Sequence, residues 1–142
     1  MTGVWIALAA LALALVFGGY RRITDGRIRA VATSRQARVD PGRLGAALGR
    51  DATFVQFSAT VCAPCRSTHR VLSDVVTERP GVTHIDVDAE TRLDLVEEFG
   101  ILRTPTVLLL DSDGIVRHRI VGAARKDEVL NALGRLSARS AA

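Results

Sequence analysis

Residues 54–66 have the sequence FVQFSATVCAPCR, an apolar run followed by a short turn and a Cys-x-x-Cys motif. The run from Phe54 to Phe57 is bounded by polar residues, which is typical of a strand. After the motif, the spacing of apolar residues becomes that of one face of a helix. The residues on that face are Val71, Leu72, Val75 and Val76. The sequence therefore predicts a strand, a turn that carries both cysteines, and a helix.

This placement gives the first cysteine a special chemical environment. Cys62 lies near the predicted N-terminus of the helix, where backbone N–H groups lack helical partners and favour negative charge. A thiolate is stabilised at such a position, and the thiolate is the nucleophilic form of cysteine. Cys65 follows about one helical turn later, close enough to form a disulfide, and the chain has no other cysteine. The two are the candidate catalytic residues, with Cys62 as the nucleophile.

The pattern resembles the thioredoxin family, whose central strand and active-site turn are similar to residues 54–66. Residues 99–106, FGILRTPT, are similar to a second signature of that family, in which the proline is cis and faces the cysteine pair. Residues 111–114 resemble its hairpin turn, and Val121-Gly122 resembles the glycine site of its last strand. The resemblance covers roughly residues 36–139. Cys-x-x-Cys alone is a weak signal, but with a βαβ pattern and a Thr-Pro pair about 40 residues later it is strong.

The resemblance implies reversible dithiol–disulfide exchange. Cys62 attacks a substrate disulfide to form a mixed disulfide, and Cys65 then attacks Cys62 and releases the reduced substrate. We expect protein disulfides as substrates and an upstream reductase as electron donor. We expect no cofactor other than the redox-active disulfide itself, and a monomer.

The resemblance also implies a substrate-binding surface around the cysteine pair. Its expected members are Val61, Ala63, Pro64, Thr104 and Pro105. We expect the Thr104–Pro105 bond to be cis, which is usually a deliberate feature of a fold. Substrate backbone would pair in an extended form beside this proline.

Two residues depart from the family pattern. Val61 stands where typical thioredoxins have a tryptophan, and Gln56 stands where they have a buried acidic residue. That carboxylate is thought to help move the proton of the second cysteine, and a neutral amide accepts no proton. We therefore expect slower resolution of the mixed disulfide. The two departures also motivate a rival hypothesis, a thioredoxin-like interaction module with little turnover.

Two other roles are open to the cysteine pair. A static disulfide is disfavoured because so short a loop removes little entropy from the unfolded chain and because permanent disulfides are rare in the cytoplasm. A metal site would combine the pair with His69 and one further ligand such as His84. Structural zinc needs four ligands, usually from two paired sets, and the chain has no second pair of cysteines. We therefore expect no metal.

The remaining polar side chains near the motif give less specific signals. Arg66 either stabilises the nearby thiolate or is solvated. His69 lies on a mostly polar helix face, which favours a surface position. His84 and His118 lie in predicted strands and are interpreted as structural or exposed residues. Asp86 and Asp88 alternate with Val87 and are interpreted as the polar end of a strand.

An uncharged stretch near the N-terminus, residues 4–20, is at the short end for a helix that crosses a bilayer. Trp5 and Tyr20 stand at its ends, as interfacial aromatic residues do. A secretory signal peptide is the main alternative, but it needs a basic segment before the stretch and a cleavage site after it. Neither is present. The sequence therefore predicts an uncleaved membrane anchor.

Basic residues follow this stretch, and none precedes it. They are Arg21, Arg22, Arg27, Arg29, Arg35 and Arg38. Positive charges beside a membrane span stay in the cytoplasm, so we predict a cytoplasmic C-terminal domain. The opposite orientation would make the chain an extracytoplasmic thiol reductase, for example one that serves cytochrome maturation.

Length and composition narrow the remaining possibilities. The chain has 142 residues and a net charge of +4, with 18 arginines and one lysine. The basic residues are not gathered with aromatic residues on one helix face, so we expect no nucleic-acid binding. We predict an anchor at residues 1–20, a basic linker at 21–35 and a thioredoxin-like domain at 36–142.

The order of predicted elements indicates an α/β fold, the thioredoxin fold, with a central mixed β-sheet flanked by helices. We expect a first strand near residues 36–39, and a short helix that begins at Asp40-Pro41 and ends at Gly49. A strand at residues 115–121 is expected at the edge of the sheet, where its charged residues discourage pairing with other chains. Other strands are expected at residues 54–57, 82–87 and 106–110, and other helices after Cys65, at residues 90–99 and around residues 129–136.

Overall fold

The computed structural model describes residues 2–24, 28–30 and 37–140. Within these ranges the helices are α1 (Thr2–Thr24), α2 (Pro41–Leu44), α3 (Ala63–Glu78), α4 (Leu93–Glu98) and α5 (Lys126–Ser140). The strands are β1 (Ile28–Ala30), β2 (Ala52–Ser58), β3 (Val82–Asp88), β4 (Thr106–Asp111) and β5 (Val116–Val121).

The strands form one mixed sheet in the order β1-β5-β4-β2-β3, which confirms the predicted α/β architecture. β2 runs parallel to β3 and antiparallel to β4, so that Ser58 lies opposite Asp88 and Phe57 lies opposite Thr106. The loops that follow β2 and β3 and the loop that precedes β4 therefore meet at one edge of the sheet. The Cys-x-x-Cys turn and Pro105 lie in two of these loops.

Both faces of the sheet are covered, because successive side chains of a strand point to opposite faces. Phe54 of β2 packs with Leu72 of α3 and with the apolar face of α5. Val55 packs on the other face with Leu95 of α4. All residues of β4 are buried, as its continuous apolar run predicts.

The beginning of the sheet differs from the expectation. β1 lies in the stretch predicted to be a linker, and it pairs with β5 with Arg29 opposite Arg119. Near the predicted first strand, Arg38 forms an isolated bridge with Ile115, and Gln36 lies outside the described residues. β5 is therefore an inner strand, and its prediction as an edge strand was wrong. A three-residue strand in a basic connector leaves no alternating pattern that sequence reasoning detects.

Asp40 begins α2 as predicted, since its carboxylate accepts a hydrogen bond from the Gly42 N–H at 3.0 Å. The helix ends at Gly45 with a φ of 66°, so the predicted end at Gly49 was wrong. Gly49 has another role, because a Cβ there would lie 2.2 Å from the backbone oxygen of Ala52. A close approach of two backbone segments requires glycine at this position.

α1 has the length and the apolar composition needed to cross a membrane, over Gly3–Tyr20. None of its described side chains is buried, so it is not a core helix of the domain. A membrane span and a signal sequence share these properties.

Candidate active site

Cys62 caps the N-terminus of α3. Its backbone is extended, with φ −146° and ψ 95°, and its Sγ accepts a hydrogen bond from the Cys65 N–H at 3.2 Å. Pro64 occupies the first turn, where its missing N–H costs no helical hydrogen bond. In the reduced protein the same N–H and the helix dipole favour a thiolate at Cys62.

The two cysteines form a disulfide with an S–S distance of 2.02 Å and a Cα–Cα distance of 5.2 Å. Their environments differ, because Cys65 is only 4% exposed whereas Cys62 is partly exposed. An incoming disulfide therefore reaches Cys62 first. The arrangement fits the expected division of roles between nucleophile and resolving cysteine.

Gln56 lies directly behind the pair and is 0% exposed. Its side-chain N–H groups donate to the Cys65 carbonyl at 3.0 Å and to Ser58 Oγ at 2.8 Å. Its Oε1 atom is buried without a partner among the described residues. The sequence predicted this position but not the hydrogen bond, which ties the first turn of α3 to β2.

The loop before β4 contains the cis Thr104–Pro105 bond, as predicted. Pro105 is buried, and its carbonyl accepts a hydrogen bond from Gly122 N–H at 2.8 Å. The Arg119 guanidinium also holds this region by donating to the carbonyls of Phe99 and Gly100. Burial lowers the pKa of Arg119 from its usual value.

Two exposed apolar side chains lie on the loops that meet at this edge. Val61 is 94% exposed and Leu102 is 95% exposed. Their nearly complete exposure makes these two apolar side chains candidate contacts for a partner protein. The predicted members Ala63 and Pro64 are exposed beside Val61, and Thr104 is partly exposed. Sequence reasoning missed Leu102, although its apolar side chain beside Arg103-Thr104 in the second signature was a usable signal.

A cavity of about 340 Å³ opens beside the disulfide, and its lining includes Cys62, Cys65 and Arg66. His69 and Asp86 line the same cavity, and His69 Nδ1 lies 3.1 Å from Asp86 Oδ2.

His84 lies next to this pair, with its ring centroid 4.8 Å from that of His69. Burial, reinforced by the neighbouring His69, lowers the pKa of His84 to about 4, against an opposing effect of Asp86. The structure thus brings together His69 and His84, the two histidines of the alternative metal site with the cysteines. It adds Asp86, whose predicted place is the polar end of a strand.

The thioredoxin family model matches residues 46–135. The thioredoxin of Mycobacterium tuberculosis (strain ATCC 25618 / H37Rv) is 36% identical over 81 residues, which are 56% of this chain and 69% of the relative. A thioredoxin H-type protein of Oryza sativa subsp. indica is 30% identical over 80 residues, which are 56% of this chain and 64% of the relative. The chain thus spans just under two thirds of the length of this plant relative.

Solved structures show the same fold. Thioredoxin NaTrxh from Nicotiana alata superposes with a TM-score of 0.53 at 31% identity, over 61% of this chain and 73% of that protein. The oxidised form of mitochondrial thioredoxin 3 from Saccharomyces cerevisiae gives a TM-score of 0.54 at 24% identity, over 61% and 79%. The family model covers more than half of the chain and includes the cysteine turn and the cis-proline loop. The chain therefore belongs to the thioredoxin family.

Proposed function

We propose that the chain is a thiol–disulfide oxidoreductase that reduces protein disulfides through Cys62 and Cys65. The observation that carries the proposal is the disulfide between a partly exposed cysteine at a helix start and a buried partner one turn later. A disulfide whose first sulfur is accessible, and whose thiolate would be stabilised by backbone N–H groups, is suited to exchange.

The reaction begins with the reduced protein. The Cys62 thiolate attacks one sulfur of a substrate disulfide, which breaks that S–S bond and releases one substrate thiolate. Cys65 then loses its proton and attacks Cys62 Sγ, which releases the second substrate thiol and forms the Cys62–Cys65 disulfide. Two electrons pass to the substrate, and an upstream dithiol reductase returns the pair to the reduced state.

Substrate docks on the edge where the cysteine turn and the cis-proline loop meet. Val61 on the cysteine turn and Leu102 on the cis-proline loop supply apolar contacts, since both are almost fully exposed. The partly exposed Thr104 presents backbone that pairs with an extended substrate segment, and the buried Pro105 holds that backbone beside the cysteine turn. Ala63 and Pro64 complete the surface beside the attacking sulfur. The substrates in this proposal are extended segments around a disulfide, with an apolar residue nearby.

The proposal includes anchoring through α1 with the domain on the cytoplasmic side. The uncharged helix over Gly3–Tyr20 supports the anchor, and the basic residues that follow it support the orientation. Cytoplasmic thiols are kept reduced, which suits a reductase.

A variant series with the full chain in detergent tests the activity. Cys62→Ser should abolish reduction of a model protein disulfide, whereas Cys65→Ser should accumulate the mixed disulfide with substrate. In the reduced wild type, alkylation near neutral pH should label Cys62 before Cys65. Preferential labelling of Cys65 would reverse the assigned roles. Binding of substrate without turnover in the wild type would favour the interaction module instead.

A further inference from the structure

We infer that His69, His84 and Asp86 form a binding site for a divalent transition metal of the zinc type, beside the active-site disulfide. The inference rests on side-chain geometry alone and does not depend on the proposed reductase function. Both cysteines are engaged in the disulfide, so the site takes no ligand from them.

The fold brings these side chains together from distant parts of the chain. His84 and Asp86 are two residues apart on β3, so their side chains lie on the same face of the sheet. The alternate residues Ile85 and Val87 pack in the core on the opposite face of the sheet, with Leu95 of α4. The face that carries His84 and Asp86 is therefore the one covered by α3. His69 lies on α3, one helical turn beyond Cys65.

The distances between the possible ligand atoms are close to those in a zinc site, so a small side-chain movement would complete the coordination. One possible ligand atom from each residue lies within 4.8 Å of those of the other two, and His69 Nδ1 is 3.1 Å from Asp86 Oδ2. Tetrahedral zinc with metal–nitrogen distances of about 2.0–2.1 Å places its ligand atoms roughly 3.4 Å apart. The His69 side chain is 52% exposed, so it is free to make the movement of about 1 Å that closes the site.

One atom in the cluster lacks the partner that its burial requires. His84 Nε2 is buried without a hydrogen-bond partner among the described residues. Buried polar side-chain atoms almost always have a partner. A metal ion coordinated through Nε2 would give this buried nitrogen the partner that it lacks.

The donor set favours a particular class of ion. Two imidazoles and one carboxylate suit zinc and similar first-row metals, with a fourth position left for water. Arg66 and Arg70 line the cavity beside the disulfide together with His69 and Asp86, and their positive charges oppose the binding of a cation. The carboxylate of Asp86 is the group in the set that offsets this repulsion, so the affinity should depend most strongly on Asp86.

The test uses the full chain in detergent, without a histidine tag and with its disulfide formed. Co²⁺ is the probe, because its visible absorption reports coordination by nitrogen and oxygen ligands, and Zn²⁺ is then added as competitor. We expect one equivalent of Co²⁺ to bind and Zn²⁺ to displace it. His69→Gln should weaken binding at least tenfold, and Asp86→Asn should weaken it more. Both side chains are exposed, and circular dichroism checks that the variants fold.

The matched control is His118→Gln, the third histidine of the chain, which lies on β5 with two strands between it and β3. Its affinity for Co²⁺ should equal that of the wild type. Three results would overturn the inference: no stoichiometric Co²⁺ binding, binding that survives His69→Gln and Asp86→Asn, or an equal loss in the His118→Gln control.

Discussion

Gln56 is the residue whose identity bears most directly on the chemistry of the cysteine pair. It is fully buried and its amide donates to the Cys65 carbonyl, so a carboxylate at this position would lie beside the first turn of α3. A buried carboxylate would repel a thiolate and would accept a proton from the resolving cysteine. Gln56 does neither, which favours formation of the Cys62 thiolate and disfavours activation of Cys65.

Gln56→Asp should therefore raise the pKa of Cys62 and speed release of the mixed disulfide near neutral pH. General-base assistance is typically worth about a hundredfold, although water supplies part of it in the wild type. The variant should also be less stable, since it buries a carboxylate. Stopped-flow reduction of a model disulfide across pH measures both effects, with Gln56→Asn as the uncharged control. Equal Cys62 pKa values and equal release rates in wild type and Gln56→Asp would show that residue 56 does not control the chemistry of the cysteine pair.

His118 gives a second consequence at the level of a single residue. Burial, together with the positive charges of Arg135 and Arg139, lowers the pKa of His118 from its ordinary value of 6.5. Below about pH 6.5 the unfolded chain then binds more protons than the folded chain. The contribution of His118 to the free energy of unfolding is therefore greatest above that pH and falls as the solution becomes more acidic.

His118→Gln should make this fall less steep. Urea unfolding at about pH 7.5 and at about pH 5.5 measures the slope, with a chelator present so that metal binding does not contribute. His84, whose pKa is also lowered, keeps its own contribution of the same sign in both proteins. An unchanged slope in the variant would mean that His118 is protonated equally well in the folded and unfolded states.

Among the elements, α3 carries the cysteine pair, so its attachment to the rest of the domain positions the chemistry. Thr68, one turn beyond Cys65, is fully buried. Its Oγ1 accepts a hydrogen bond from the Ala124 N–H at 3.1 Å, which links α3 to the connection between β5 and α5. The apolar face of α3 packs on the sheet, and this hydrogen bond adds a directional contact between the helix and the rest of the domain.

Thr68→Val keeps the shape of the side chain and leaves the Ala124 N–H buried without a partner. We expect a loss of about 1–3 kcal/mol in the free energy of unfolding, the usual cost of such an orphaned donor. Thr77→Val on the same helix is the control, because its hydroxyl is exposed and bonds only to the Ser73 carbonyl of the preceding turn. Chemical denaturation of both variants decides the matter. If Thr77→Val lowered the free energy of unfolding as much as Thr68→Val, the cause would be a change in helix propensity and not the lost hydrogen bond.

The elements with long apolar patterns were predictable from sequence. β2, α3 and β4 lie where their apolar residues place them, since burial on one or both faces dictates the pattern. Helix ends were less predictable, because single polar contacts decide them. The Asp88 carboxylate accepts the Glu90 N–H at 2.9 Å and holds the next residues in turns, so α4 begins at Leu93 and not at the predicted residue 90.

For the molecule as a whole, sequence proximity determined how much of the candidate site was predictable. Cys62, Cys65 and the cis Thr104–Pro105 bond belong to short local signatures, and the structure has them at one edge of the sheet. The cluster of His69, His84 and Asp86 has no local signature. The βαβ pattern predicts that β3 lies parallel to β2. Which side chains of α3 and β3 meet depends on how the helix packs on the sheet, and the spacing of residues along the chain does not specify that.

The proposed topology is testable on the intact protein in cells. A reporter that is active only in the cytoplasm, fused after Ala142, should be active, because the arginines beside the span favour the cytoplasmic side. A cysteine introduced at Thr2 should react from outside with a membrane-impermeant reagent. An active periplasmic reporter at the C-terminus would instead assign the chain to the extracytoplasmic reductases.

The pairing of β1 with β5 also limits the distance between the domain and the end of α1. Residues 25–27 are all that lie between Thr24, the end of α1, and Ile28, the start of β1. Fully extended, a connection of that length spans about 14 Å. Under the proposed anchoring, the domain stays next to the bilayer and searches for partners in two dimensions. Its effective concentration is then high for disulfides carried at the membrane surface and low for those in the bulk compartment. If the chain is anchored as proposed, strand pairing in the connector would thus favour substrates located at the membrane surface, independently of side-chain recognition.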